Sequence, residues 1–399
     1  MRIADVNCHV LVDPDRDGSA TSSAQDTIVV EIITDDGVSG IGETDLNPVV
    51  ARACIEAPSA HSMALGLRDM LIGADPLAVE ALWERLYVGS AMTGRRGAGI
   101  NAIGAIDLAL HDLRGKLLDR PAWAGLGGAA EPRTHVRPYA SLQPDEDDVD
   151  RYADALVRDA RDAAAGGFTA AKVSLTLAGP YAHKGMRAPW SHATDILAAV
   201  RAAVGSAFTL MVDVQYAFAD AAEALDVLGR WERFDLFFVE TPLWADDLDG
   251  YATLSREQPI PIAMGEWLTT RFEFAELLRR GCVAVAQPDI GRVGGLTETM
   301  RVAELAREAG AIVVPHLWKT GISIAAALHM AAVTPHCPLI EFLPSETADS
   351  AIRRDLLTRD FAIVDGLVAV PQEPGLGVEL DRDAMRRFST DGQPLGNFG

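Results

Sequence analysis

Cysteine is scarce: Cys8, Cys54, Cys282 and Cys337 are the only four in 399 residues, and their spacing matches no zinc site. That rules out a disulfide scaffold and predicts reduced thiols and a cytoplasmic home. Apolar runs are short, and none reaches the roughly 20 residues that span a bilayer. The opening "MRIADVNCHV" alternates like a strand and lacks the apolar centre of a signal peptide. Positive charge is in deficit, with 35 Lys and Arg against 57 Asp and Glu, a formal net charge of −22. Nucleic acid, which demands a basic face, is thereby excluded as a partner, and no membrane is expected. An anionic substrate would be repelled at long range and needs a metal or local cations. Also missing is a Gly-rich turn after a first parallel strand, the mark of a doubly wound open sheet; "IGRVGG" (290–295) is not G-x-G-x-x-G and comes late.

What is present is apolar material, 49% of the chain, enough for one large domain and a smaller one. The first hundred residues read as an α+β unit. "TIVVEII" (27–33) and "VSGIGE" (38–43) flank a turn at Gly37. A helix is predicted over 99–118, with Ile103, Ile106, Leu110 and Leu113 on one face. The Gly-, Ala- and Pro-rich stretch 121–134 reads as a boundary. Beyond it, strands are predicted at 135–142, 170–175, 209–215, 236–242, 262–267, 283–289, 311–318 and 339–344, with amphipathic helices between them. Gly167, Gly281 and Gly310 stand where helices end. Eight short apolar strands alternating with helices suit a closed parallel barrel, with an open doubly wound sheet as the competitor.

An ionisable residue lies near the C-terminal end of seven of these strands: Lys172, Asp213, Glu240, Glu266, Asp289, His316 and Glu341. From Asp213 onward they recur about every 25 residues, one βα repeat each, which in a barrel brings them to one rim. Asp213, Glu240 and Glu266 cannot all stay ionised side by side without a cation. Oxygen ligands on rigid strands favour a hard divalent ion, Mg²⁺, one per subunit. Asp289 next to His316 would fix the imidazole tautomer and leave the other nitrogen as a general base. His9, His61, His111, His329 and His336 show no such partner pattern and read as structural or surface.

At these residues the chain resembles the enolase superfamily, in particular the mandelate racemase subgroup with its acid-sugar dehydratases. The likeness rests on "AIDLALHDLRGK", "VDVQ", "VETP", "GEW", "QPDIGRVGG" and "VPHLWKTG", in that order. It implies an α/β fold, a (β/α)₇β modified TIM barrel with an N-terminal α+β capping domain. The expected divisions are 1–125 for the cap, 126–370 for the barrel and 371–399 for a C-terminal segment returning to the cap. It also implies Mg²⁺ held by Asp213, Glu240 and Glu266, a His316–Asp289 dyad, and Glu341 facing the substrate carboxylate. A symmetric homo-oligomer is expected on the same ground. The departure is at Lys172-Val173-Ser174, where the resemblance implies Lys-x-Lys with the second lysine a base opposite the histidine.

With Ser174 there, racemisation loses a partner, whereas loss of water needs one titratable group if both departures share a face. The expected activity is therefore Mg²⁺-dependent dehydration of a sugar acid, an aldonate or aldarate, to a 2-keto-3-deoxy acid. Lys172 would hydrogen-bond the substrate carboxylate. Lys172 and Lys319 stay open as unconventional bases. A racemase or epimerase of a 2-hydroxy acid, a metal-dependent sugar isomerase and a non-catalytic binding protein are the alternatives. Substrate contacts are expected from Lys172, Ser174, Gln215, Trp318, Lys319 and Glu341, from the loop 176–190 with His183, Lys184 and Arg187, and from the cap loops 13–25 and 45–58.

Overall fold

The computed structural model describes residues 1–129, 131–348 and 350–390. Ala130 in the expected boundary, Asp349, and residues 391–399 of the expected C-terminal segment lie outside the described residues.

The alternating N-terminal sequence builds an antiparallel sheet of β1 (Ile3–Val12), β2 (Asp26–Thr34) and β3 (Ser39–Thr44), in that order. Val6, Cys8 and Val10 point to the covered face, as a period of two requires. Helix Ala98–Leu117 lies directly on β3. A Cβ on Gly40 or Gly42 would come within 2.2 or 2.1 Å of the helix carbonyls of Ala109 and Ala105, so only glycine permits the approach. The predicted face of Ile103, Ile106, Leu110 and Leu113 is buried, but so is most of the opposite side. There Asn101 donates to the Arg292 carbonyl at 2.6 Å, and Asp107 accepts from the Thr297 N–H at 2.9 Å. The helix is clamped between cap sheet and barrel, which sequence periodicity alone does not reveal.

The predicted strand 135–142 divides. β4 (His135–Val136) joins a small separate sheet, while β5 (Pro138–Leu142) enters the barrel; between them the Arg137 guanidinium donates to Thr169 and Thr209. The barrel continues with β6 (Ala170–Ser174), β7 (Thr209–Asp213), β8 (Leu236–Glu240), β9 (Ile262–Met264), β10 (Val285–Ala286), β11 (Ile312–Val313) and β12 (Ile340–Phe342). Their pairings are all parallel, in the order β11-β10-β9-β8-β7-β6-β5-β12. Curling is shown by one apolar cluster that takes a residue from each strand or its immediate edge: Tyr139, Ala170, Met211, Phe238, Ala263, Val285, Val314 and Leu339. Only a sheet wrapped on itself brings all eight into contact.

The later strands are shorter than the sequence predicts. In 283–289 and 311–318 only two residues each enter the ladder, although Val314 and His316 still donate to the Ala286 and Pro288 carbonyls at 3.0 and 3.2 Å. Asp289 and His316 are instead joined by an isolated parallel bridge. β13 (Ile363–Val364) and β14 (Leu367–Ala369) complete the small sheet with β4. The chain then returns to the cap: Ser389 bridges Leu11, and Arg382 pairs with Glu31 at 3.1 Å. No helix among the described residues is long and apolar enough to cross a membrane.

Candidate active site

Strand geometry places the polar residues. Two positions beyond each member of the apolar layer, on the same face, stand Ser141, Lys172, Asp213, Glu240, Gly265, Gln287, His316 and Glu341. The barrel interior therefore carries a polar layer stacked on an apolar one. Ser174 pairs with Asp213 and Asp213 with Glu240 in adjacent parallel strands, which fixes their relative heights. At the β9 position Gly265 has no side chain, and its φ of +137° turns the chain so that Glu266 reaches the site from the next residue.

Lys172, the lysine in a buried strand, is 2% exposed. Its Nζ lies 3.0 Å from both Glu240 oxygens and 2.8 Å from Glu341 Oε1. Burial works against the ammonium, but Glu240 and Glu341 prevail and hold its pKa well above the ordinary value. Burial pushes Glu240 up to about 8; Lys172 opposes this, while Asp213, Glu341 and Glu266 add to it. Asp213 rises to about 6, from burial first and against Lys172, with Glu266 adding to the push. Its Oδ1 accepts from the Gln215 N–H at 2.9 Å and the Thr241 hydroxyl at 2.8 Å.

His316 Nδ1 is 2.8 Å from Asp289 Oδ2, and its Nε2 is 3.2 Å from Glu266 Oε2. Asp289 also caps the short helix Ile290–Val293 through the Arg292 N–H. Burial lowers the imidazole pKa, but the Asp289 hydrogen bond and the charges of Glu341 and Glu266 outweigh it and carry it to about 9.

The oxygen-only set Asp213, Glu240 and Glu266 has the chemistry a hard cation requires, and the raised pKa values of the first two show how poorly burial suits their charge. Lys172 at Glu240 and His316 at Glu266 supply the counter-charges in this structure. A second group of possible ligands, Asp45, Asp289 and His316, brings its donor atoms within 4.8 Å of one another. There Asp45 already faces Arg292 at 2.5 Å and Lys319 at 3.3 Å, and Asp289 holds His316, so the group is neutralised without a metal.

A cavity of about 220 Å³ gathers Lys172, Ser174, Asp213, Gln215, Glu266, His316 and Trp318. Five expected substrate contacts are placed elsewhere. Lys319 is buried and donates to the Ser23 and Asp26 carbonyls, tying barrel to cap, and it does not line the cavity. His183 is buried and accepts from Gln143 Nε2 at 2.8 Å, while burial and then Lys184 lower its pKa, so it is no cation. Arg187 is exposed and donates to the Met186 carbonyl, outside the lining. Lys184 is clamped by Asp17 at 2.8 Å and Asp145 at 2.5 Å. Glu341 lies outside the lining, with Oε1 2.8 Å from Lys172 Nζ and Oε2 accepting from the Leu317 N–H at 2.7 Å; burial would raise its pKa, but Lys172 and His316 lower it.

Sequence reasoning missed other parts. Arg292, within the quoted "QPDIGRVGG", lines the cavity and pairs with Asp45 of the cap. Tyr216 donates to Glu266 Oε1 at 2.6 Å from a left-handed backbone, φ +61°, next to Gln215 at +46°. Gln287 donates to Glu240 at 2.6 Å. Counting two residues on from Val285 would have found Gln287; nothing in the sequence marked Tyr216.

Comparison with known proteins accords with this architecture. Residues 3–127 match the mandelate racemase / muconate lactonizing enzyme N-terminal domain, and residues 155–384 the enolase C-terminal domain-like family. The chain belongs to this family. It is 34% identical to D-galactarolactone cycloisomerase of Agrobacterium fabrum, over 97% of this chain and 99% of that one. It is 32% identical to D-galactonate dehydratase of Ralstonia nicotianae, over 88% of each chain. A racemase from Streptomyces coelicolor, solved with bound magnesium, superposes with a TM-score of 0.81 at 27% identity, covering 97% of this chain and 99% of that one.

Proposed function

We propose that this chain is a Mg²⁺-dependent acid-sugar dehydratase converting a sugar acid to a 2-keto-3-deoxy acid. The observation that carries the reading is a cavity where the His316–Asp289 pair meets a carboxylate set, with Ser174 in the lining at the position where the resemblance implies a second lysine. Relatives named as dehydratases support it. Asp213, Glu240 and Glu266 would hold Mg²⁺. When bound, Mg²⁺ supplies positive charge against the substrate carboxylate and lowers the cost of the charge that develops as the α-proton leaves. With Glu266 committed to the metal, His316 would lose one of the charges that raise its pKa, and in its neutral form Nε2 takes that proton while Asp289 holds Nδ1 and the ring's orientation. His316 then returns the proton to the β-hydroxyl, the C–O bond breaks, water departs, and the enol product tautomerises with a proton gained at C3. Lys172 steadies the carboxylate end.

In this reading residues 1–125 are the cap, 126–370 the catalytic barrel and 371–399 the returning segment. A cytoplasmic homo-oligomer is part of it, supported for the compartment by four free thiols. The 34% identical cycloisomerase favours a second version of the chemistry, in which the group leaving the β-carbon is a ring oxygen.

The test is a screen of sugar acids with Mg²⁺ in deuterated water. Deuterium at C3 of a 2-keto acid is expected, and His316→Asn should lower kcat by roughly 10³-fold or more. C2 epimerisation without loss of water would establish a racemase instead. Ring opening without water loss would establish the cycloisomerase version.

A further inference from the structure

How many carboxylates the substrate carries is decided by the cations lining the cavity. We infer that the site takes a sugar acid with a single free carboxylate and discriminates against the diacid of the same skeleton. The inference rests on the dehydratase reading for where the reacting carboxylate sits.

Among the described residues, the cationic side chains of the lining are Lys172, Arg292 and His316, and each already faces protein carboxylates. The first substrate carboxylate is matched to the barrel end, beside Lys172 and the metal-ligand set. Arg292 cannot serve a second one cheaply. Its Nη2 meets Asp45 Oδ2 at 2.5 Å and its Nε meets the Asp45 carbonyl at 2.9 Å, and breaking this pair would leave Asp45 only Lys319 at 3.3 Å and the Ser23 hydroxyl.

The remaining wall is neutral. The cap contributes Thr21, Ser22 and Ser23, and the end of β5 contributes Gln143, whose Nε2 donates to the Thr21 carbonyl at 3.0 Å. Hydroxyls and an amide suit the hydroxyl groups of a sugar but leave a carboxylate without a counter-charge. Just beyond, Lys184 sits between Asp17 and Asp145, so that flank carries one more negative charge than positive.

Ser174 and Gln215 are neutral too, and Tyr181, Tyr216, Trp267 and Trp318 make the lining aromatic elsewhere. Trp267 is stacked on Tyr216 with centroids 4.2 Å apart, and Tyr181 stands edge-on to Trp267 at 5.4 Å. Ring faces are negative, attract the C–H face of a sugar and repel an anion. A second carboxylate would therefore be desolvated against neutral dipoles, ring faces and a net acidic flank.

The experiment uses Mg²⁺-loaded His316→Asn protein, whose turnover is expected to be slow enough for binding to be read, and matched hexonate and hexarate pairs of several configurations. Tryptophan fluorescence and calorimetry give each Kd. In the best-bound configuration the hexonate is expected to bind at least roughly 30-fold tighter than its hexarate, about 2 kcal/mol. Gln143→Arg, which adds a cation to the neutral wall, should shift that ratio toward the hexarate by tenfold or more. Equal or tighter binding of the hexarate, or no binding of any hexonate, overturns the inference. Selective hexonate binding with no dehydration by the wild-type enzyme would defeat the dehydratase reading alone. Dehydration of both acids at similar kcat/KM would defeat this inference alone.

Discussion

Lys172 shows how one residue acquires a task from its surroundings. An ammonium buried in a strand is tolerated because Glu240 and Glu341 close around it, and they in turn depend on it. Replacement by an apolar residue of similar length strands two carboxyls. Metal-free Lys172→Met should lose roughly 3–5 kcal/mol in urea unfolding, and Mg²⁺ should restore part of it; equal stability of the two proteins would contradict the pairing. Asp107 is the opposite case. Burial, against the Thr297 hydrogen bonds, pushes its carboxyl from 3.8 up to about 7, and its Oδ1 has no partner. The acid is raised in the folded state, so the unfolded state loses its proton first. Stability from this group is complete below pH 3.8 and declines until about pH 7. The full change is on the order of 4 kcal/mol. Asp107→Asn should remove that decline, read as the difference between wild-type and variant unfolding curves from pH 4 to 8. A difference independent of pH would refute it.

At the scale of elements, short strands and their exits place the chemistry. β9 ends at Met264, and Gly265 makes the turn that presents Glu266. A Cβ there would lie 2.7 Å from the Phe274 ring and 3.1 Å from the Gln287 carbonyl, on a φ that L residues rarely adopt. Gly265→Ala is expected to cost roughly 1–3 kcal/mol in stability and to weaken Mg²⁺ binding about tenfold by displacing Glu266. Calorimetric Mg²⁺ titration beside thermal unfolding checks both. Unchanged Mg²⁺ affinity in a folded variant would remove Glu266 from the ligand set.

For the whole molecule, the decisive feature is the seam between cap and barrel. Glu43 of β3 is fully buried there. Its Oε1 accepts from the Ser323 N–H and hydroxyl at 2.9 and 2.7 Å, and both oxygens accept from the Thr320 hydroxyl at 2.9 Å. Lys319 and Arg292 bind Asp45 across the same seam, and Trp318 Nε1 donates to Ser22 at 2.8 Å. The cap thus holds the loop that walls the cavity. Glu43→Gln turns one acceptor into a donor facing hydroxyls and N–H groups, and should destabilise by roughly 1–3 kcal/mol. KM should rise more than kcat falls, because the loop loosens while His316 stays in place. A fall in kcat alone would point to a different role for the seam.

Periodicity determined the parallel βα units from sequence alone, because each is local and successive strand ends inherit one edge whatever the side-chain details, while closure into a barrel was decided by the fold. The same locality made Lys172, Asp213, Glu240, Glu266 and His316 legible as neighbours. What it could not carry was which cations are already engaged. His183, Arg187 and Lys319 read as available charges, yet Lys319 is held by Asp26, 293 residues away, and His183 by Gln143, 40 residues away. Ladder lengths, the division at Pro138 and the all-round burial of helix Ala98–Leu117 depend likewise on distant partners. Backbone pattern is written in short-range sequence; charge neutralisation is settled only when chain segments far apart are folded into contact.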